Sequence, residues 1–267
     1  MAITSENDIA AGLSVAQRQQ FIKNFAAPKS AGAFQSGWLA TGTPGAGNTP
    51  PVFTAGTGYN CDSTTVGGLA YTNGAVQNYL ATLVASITQP GVLIIADRLW
   101  SCQGFVAATL TAQAVTTPGS LPARITDSGV GTQLWLEQFA AGGAASGTVT
   151  ANYLNTAAAA KTAVIAAAVS SPVSGQFEIF PLQAGDVGIS QLTSITFSAT
   201  HTSGTIGATI VKPLAYLPIV SANIGLALDW ALLGVPKIPA NACLMFAFLA
   251  QNTTAPVVLG VASFIDK

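Results

Sequence analysis

From Val92 onward the chain reads as a series of strand-length segments, apolar or alternating, most of them separated by Gly, Pro or Asn. This punctuation constrains the fold more than any other feature. Many short strands without long helices between them build antiparallel sheets. Candidate strands span 92–99, 105–115, 132–140, 147–154, 176–182, 189–200, 205–217, 242–250 and 256–265. The stretch from Pro90 to Phe139 is the expected centre. It opens with the apolar run Val92 to Ala96 and closes with Gln133 to Phe139. In that closing segment Leu134, Leu136 and Gln138 face one way, and Trp135, Glu137 and Phe139 the other. Gly142-Gly143 to Gly147 and Thr202-Ser203-Gly204 carry hairpin-turn chemistry. Residues 157–169 are Ala-rich and open to either helix or strand. The predicted fold is all-β: an antiparallel β-sandwich, jelly-roll-like, over residues 61–267, with a two-lobed arrangement left open.

Two helices are expected beside the strands. Residues 4–25 fit an N-terminal helix, with Ser5 as its cap, Asp8 in the first turn, and Ile9, Leu13, Phe21 and Phe25 roughly on one face. Residues 73–88 fit a short helix packed on the sheet, since Val76, Leu80, Leu83, Val84 and Ile87 form one stripe before Pro90-Gly91. Between them, residues 26–62 are rich in Gly, Pro, Thr and Ala and cannot build a core of their own. Residues 1–60 therefore read as a helix plus an extended assembly arm. Its apolar pegs Phe21, Phe25, Phe34, Trp38 and Phe53 would lie on a neighbouring molecule.

Charge narrows the function. Only 7% of residues are charged and the net charge is −1, against roughly 25% charged in ordinary soluble domains. Such a surface favours association, which suggests coverage by copies of the chain or by another protein. It lacks the basic face that nucleic-acid binding requires. Mean hydropathy is +0.51, yet the uncharged stretch Ile238 to Ile265 contains Pro239, Asn241, Gln251, Asn252 and Pro256 and is no bilayer span. The first residues, with Glu6 and Asp8 ahead of any cation, lack the pattern of a secretory signal, so synthesis in the cytoplasm is expected.

No assembled chemistry stands out. His201 is the single histidine, the three cysteines Cys61, Cys102 and Cys243 are far apart in sequence, and no G-x-S-x-G elbow exists. No cofactor or metal set is indicated. Asp97, Arg98, Arg124, Asp127 and Glu137 lie in or near the central stretch, and we expect them to pair where sheet meets loop. The rival is a carboxylate pair for glycan hydrolysis, which a fold can assemble without any sequence mark.

The segments VLIIADRLWSCQG, SLPARITDSGVGTQLWLEQF and GTVTANYLN, with AGLSVAQRQQFIKN and WLATGTPGAGNTPP before them, resemble virion structural proteins of tailed bacteriophages. The resemblance covers about residues 10–220 through short motifs. It implies a non-enzymatic protein of the virion, made in the host cytoplasm. It would act as a head decoration or cement protein contacting the major capsid protein and itself, most simply as a homotrimer. A tail, collar or fibre component contacting the host is the alternative. It supplies no catalytic residues.

Overall fold

The structure, a computed structural model, describes residues 3–48, 57–106, 108–115, 120–143, 147–166, 168, 172–200 and 203–267. Its elements are α1 (Glu6–Ser14), β1 (Gln17–Asn24), β2 (Phe34–Ser36), β3 (Thr41–Thr43), β4 (Tyr59–Asn60), β5 (Asn78–Ile87), β6 (Gly91–Phe105), β7 (Gln113–Ala114), β8 (Gln133–Ala140) and β9 (Val149–Asn155). They continue with β10 (Ala160–Ile165), β11 (Gln176–Ile179), β12 (Ile189–Phe197), β13 (Thr205–Ile219), β14 (Leu226–Leu228), α2 (Trp230–Leu233), β15 (Lys237–Ile238), β16 (Leu244–Ala250) and β17 (Val257–Asp266). The protein is mostly β, its strands pair antiparallel, and its sheets pack in layers, as the sequence pattern predicts.

The middle layer is a sheet closed on itself. Its strands hydrogen-bond in the order β13-β8-β11-β2-β16-β6, and β6 also pairs with β13, completing a six-stranded ring. Alternate residues from every strand of the ring meet in one buried cluster. Ile94 and Ala96 of β6, Trp135 and Phe139 of β8, Phe177 of β11, Val211 of β13, and Met245 and Ala247 of β16 belong to it, with Phe34 of β2 packed alongside. A small barrel is filled by such inward residues and leaves no edge within the ring open to another strand. Trp135 stacks on Phe177 at 3.9 Å, and Phe34 stacks on the same ring at 5.2 Å.

Outward residues of the barrel bury two further sheets. β6 and β13 are 15 residues each, long enough to serve both. Leu93 and Ile95, with Ala215, Leu217 and Ile219, pack on a sheet of order β14-β5-β17-β1-β3, with β15 on β5. Further along, Leu99, Cys102, Ile206, Ala208 and Ile210 pack on the sheet β10-β9-β12-β7. Register shifts in the β13–β6 ladder at Ile210/Val211 and Pro213/Ala215 fall between these two halves, where a bulged pair bends most readily.

Several local expectations change. Ser5 caps the first helix and Asp8 closes a capping box, but the helix ends at Ser14, and Gln17–Asn24 is a strand along β17. The polar run there alternates: Phe21 and Lys23 point in, while Gln20, Ile22 and Asn24 point out. The helix expected over 73–88 is strand β5. Its apolar residues fit a helical stripe only because a central strand buries both faces, one on the barrel and one under α1 and α2. The short helix on this sheet is α2, capped by Asp229, whose carboxylate accepts the Ala231 and Leu232 amides. Residues 160–165 are a strand pairing with β9. The Asn155 carboxamide fixes the turn between them by accepting from the Ala157 and Ala159 amides. Neither expected hairpin forms, since β8 and β9 belong to different sheets, as do β12 and β13.

Residues 1–60 are not a separate arm. β1 and β3 lie in one outer sheet and β2 in the barrel. Phe21 and Phe25 are buried against the barrel and Trp38 is sealed in its interior cluster. Phe53 and His201 lie outside the described residues.

Candidate functional site

The charges expected to pair converge around the bend in β6. Arg98 points into the barrel, where its Nη2 meets Glu137 Oε2 at 2.8 Å and donates to Ser101 Oγ at 2.8 Å. Thr209 Oγ1 donates to the same carboxylate oxygen and lies 3.1 Å from Ser101 Oγ. The guanidinium stands 4.5 Å from the centre of the Trp38 ring and 5.9 Å from that of Phe139, an arrangement in which ring faces favour the cation. Arg98 and Glu137 are fully buried. Burial disfavours the charged guanidinium, but the Glu137 carboxylate outweighs it and holds Arg98 above the ordinary arginine range. Arg98 Nε and Glu137 Oε1 have no hydrogen-bond partner among the described residues.

Asp97, one residue earlier, points the other way. Arg124 grips it with two parallel bonds, Nε to Oδ2 and Nη2 to Oδ1, both 2.9 Å. Asp97 Oδ1 also accepts the Cys243 amide at 2.8 Å, and Arg124 Nη2 reaches the Arg98 carbonyl at 3.1 Å. One fork thereby ties the loop before β8, strand β6 and the start of β16 together. Asp127 does not join this pair. It binds Lys212 of β13, a partner that the sequence reading did not single out. Burial opposes ionisation of Asp127, but the Lys212 contact outweighs it and lowers its pKa.

Asp97, Arg124, Asp127 and Lys212 line a cleft of about 650 Å³, with Lys237 on its far wall. Asp97 is engaged by both bonds of the arginine fork, and the Lys212 contact lowers the pKa of Asp127. Glu137 is sealed inside the barrel. Other acids are engaged in structural bonds: Asp266 accepts the backbone amides of Ala75, Val76 and Gln77, and Asp186 accepts from the Tyr153 hydroxyl and the Asn155 carboxamide. Among the described residues no group of three or more His, Cys, Asp or Glu is placed to hold a metal ion.

A second feature is on the surface. α1 covers one end of the outer sheet, burying Tyr79, Ala81 and Ile265 under Ile9. The approach is close, since a Cβ on Gly12 would stand 3.1 Å from Ile265 Cβ. Beyond the helix the same face is open. Val84, Leu259 and Ile22, from the adjacent strands β5, β17 and β1, are 42%, 52% and 39% exposed. With Val261, Gln20, Ser86, Thr43 and Gly225 they line a groove of about 560 Å³ that contains no charged residue.

No protein-family model and no curated protein sequence matches the chain. Among solved structures, a D431N mutant of the VP2 protein of infectious bursal disease virus, in T=1 particles, aligns at 8% identity over 94% of this chain and 77% of that one. Its TM-score of 0.17 is too low for the alignment to carry any argument.

Proposed function

We propose that the chain is a structural protein of a bacteriophage virion, a decoration or cement protein on the head that works by contact and catalyses nothing. The observation that carries this reading is the uncharged open strip of the outer sheet, Ile22, Val84 and Leu259 beside Val261. That face is covered at one end by α1 and at the other, on our reading, by a neighbouring subunit. Covering each half-exposed side chain contributes on the order of 1 kcal/mol, and repetition over many copies makes that sufficient for a shell component. The phage-like segments around Asp97, Arg124 and Glu137 point to the same class of particle. Asp97, Arg98, Arg124 and Glu137 of these segments bind one another beneath the surface.

Three copies clustered around a shell axis make a common cement geometry, so a homotrimer is the assembly proposed. Sedimentation velocity tests it. The wild-type chain at micromolar concentration should run as a trimer, and the double variant Val84→Asp, Leu259→Asp as a folded monomer. Both positions are exposed enough to accept carboxylates without disturbing the core. A wild-type protein that stays monomeric overturns the assembly.

A further inference from the structure

Two of the three cysteines, remote in sequence, meet in the fold. β4 and β16 follow one another along the same edge of β6. Where they abut, the Cys61 amide donates to the Leu99 carbonyl at 2.9 Å, and the Arg98 amide donates to the Cys243 carbonyl at 2.8 Å. Both side chains enter the barrel's interior cluster, fully buried. Cys102 is turned outward into the core beneath the smaller sheet. All three are free thiols in this structure.

We propose that Cys61 and Cys243 are a cystine-forming pair, oxidised by a small disulfide such as glutathione disulfide, with Cys102 left as the unpaired thiol. A cystine needs Cα atoms roughly 4.4–6.8 Å apart and converging Cβ bonds. Two segments abutting on neighbouring residues of one strand edge supply the first, and side chains that both turn into the same interior cluster supply the second.

In the first step the Cys61 thiolate attacks one sulfur of glutathione disulfide, forming a mixed disulfide and expelling one glutathione thiolate. Cys243 then gives up its proton and attacks the Cys61 sulfur, expelling the second. The protein loses two protons and two electrons, and the glutathione disulfide leaves as two thiols. Both protein thiols are sealed once folded, so exchange belongs to the interval before residues 57–61 dock on β6. The bond would then fasten β4 to β16 across most of the length of the chain.

The test refolds the full chain from reducing denaturant in a mixture of reduced and oxidised glutathione, so that access to the thiols is not limiting. Intact mass should fall by about 2 Da, and non-reducing peptide mapping should place the cross-link between Cys61 and Cys243. The Cys102→Ser variant should behave the same, whereas Cys61→Ser and Cys243→Ser should retain their thiols. The oxidised protein should melt higher than protein reduced with dithiothreitol in denaturant and refolded under reducing conditions, by on the order of 10 °C. A refolded wild-type protein that keeps three titratable thiols, or whose cystine involves Cys102 as often as Cys243, overturns the proposal. The wild-type mass and map decide it even if a serine variant fails to fold.

Discussion

At the scale of single residues, the barrel interior is the costliest place in the molecule to be wrong. Arg98 and Glu137 are fully buried. Removing one partner leaves the other charge unpaired in a dry cavity, which typically costs ~3–5 kcal/mol. Glu137→Gln should therefore lower unfolding free energy in urea by about that much. The double variant Arg98→Met, Glu137→Leu should recover most of the loss, because the isolated charge is gone. Equal destabilisation by the single and double variants would mean that the pair itself, not the orphaned charge, sets the cost. Lys23 offers a second residue-scale test. It is nearly inaccessible, its Nζ donates to the Ala40 and Gly45 carbonyls at 3.1 Å each, and burial lowers its pKa from 10.5 to about 8. Between those values the unfolded chain binds the proton and the folded chain does not, so folding stability rises with pH from about 8. Above pH 10 Tyr71, which burial raises from 10.0 to about 12, acts in the opposite sense. Other groups titrate in this range, so the difference isolates Lys23: in urea titrations from pH 8 to pH 10 the stability of the wild type relative to Lys23→Met should grow with pH. A difference that stays constant with pH would contradict the burial of a lysine ammonium. None of this was legible in the sequence, where Lys23 sits in the polar run Gln17–Asn24 as any exposed residue would.

Among the elements, strands 133–140, 149–155, 205–219, 244–250 and 257–266 could be read from apolar or alternating runs of strand length, most of them bounded by turn residues. β5 could not. It is flanked on both faces, its burial is nearly continuous, and continuous burial carries no period of two. β1 failed for a different reason: its outward positions are Arg18, Gln20, Ile22 and Asn24, residues that suit a helix surface as well as a sheet. The five charges expected to pair were legible as a cluster of rare residues. Their partners were not: alternation puts Asp97 and Arg98 on opposite faces of β6, but it does not say which loop or strand lies against each face. The Arg124 fork is the element-scale hinge of the account, joining a loop to two strands. Arg124→Lys keeps the charge and loses the fork. Amides of residues 120–131 should then exchange with deuterium markedly faster while the barrel strands stay protected. Unchanged protection in that loop would show that the fork does not hold it.

For the whole molecule, closure of the central sheet is the feature that sequence could not announce. It depends on β2, three residues long, bridging β11 and β16, and short bridging strands leave almost no pattern. Closure also explains why the first sixty residues are part of the fold: without β2 and Trp38 the barrel has neither its ring nor its filling. The strip at Ile22, Val84 and Leu259 on the outer sheet is open, and the central proposal is that a virion neighbour covers it. The most direct measurement is electron microscopy of purified phage particles with gold-labelled antibody against this chain. The account predicts label distributed over the heads of wild-type particles, and heads without label when the chain carries Val84→Asp and Leu259→Asp. Label confined to tails, absent from particles altogether, or undiminished by the double substitution would contradict it.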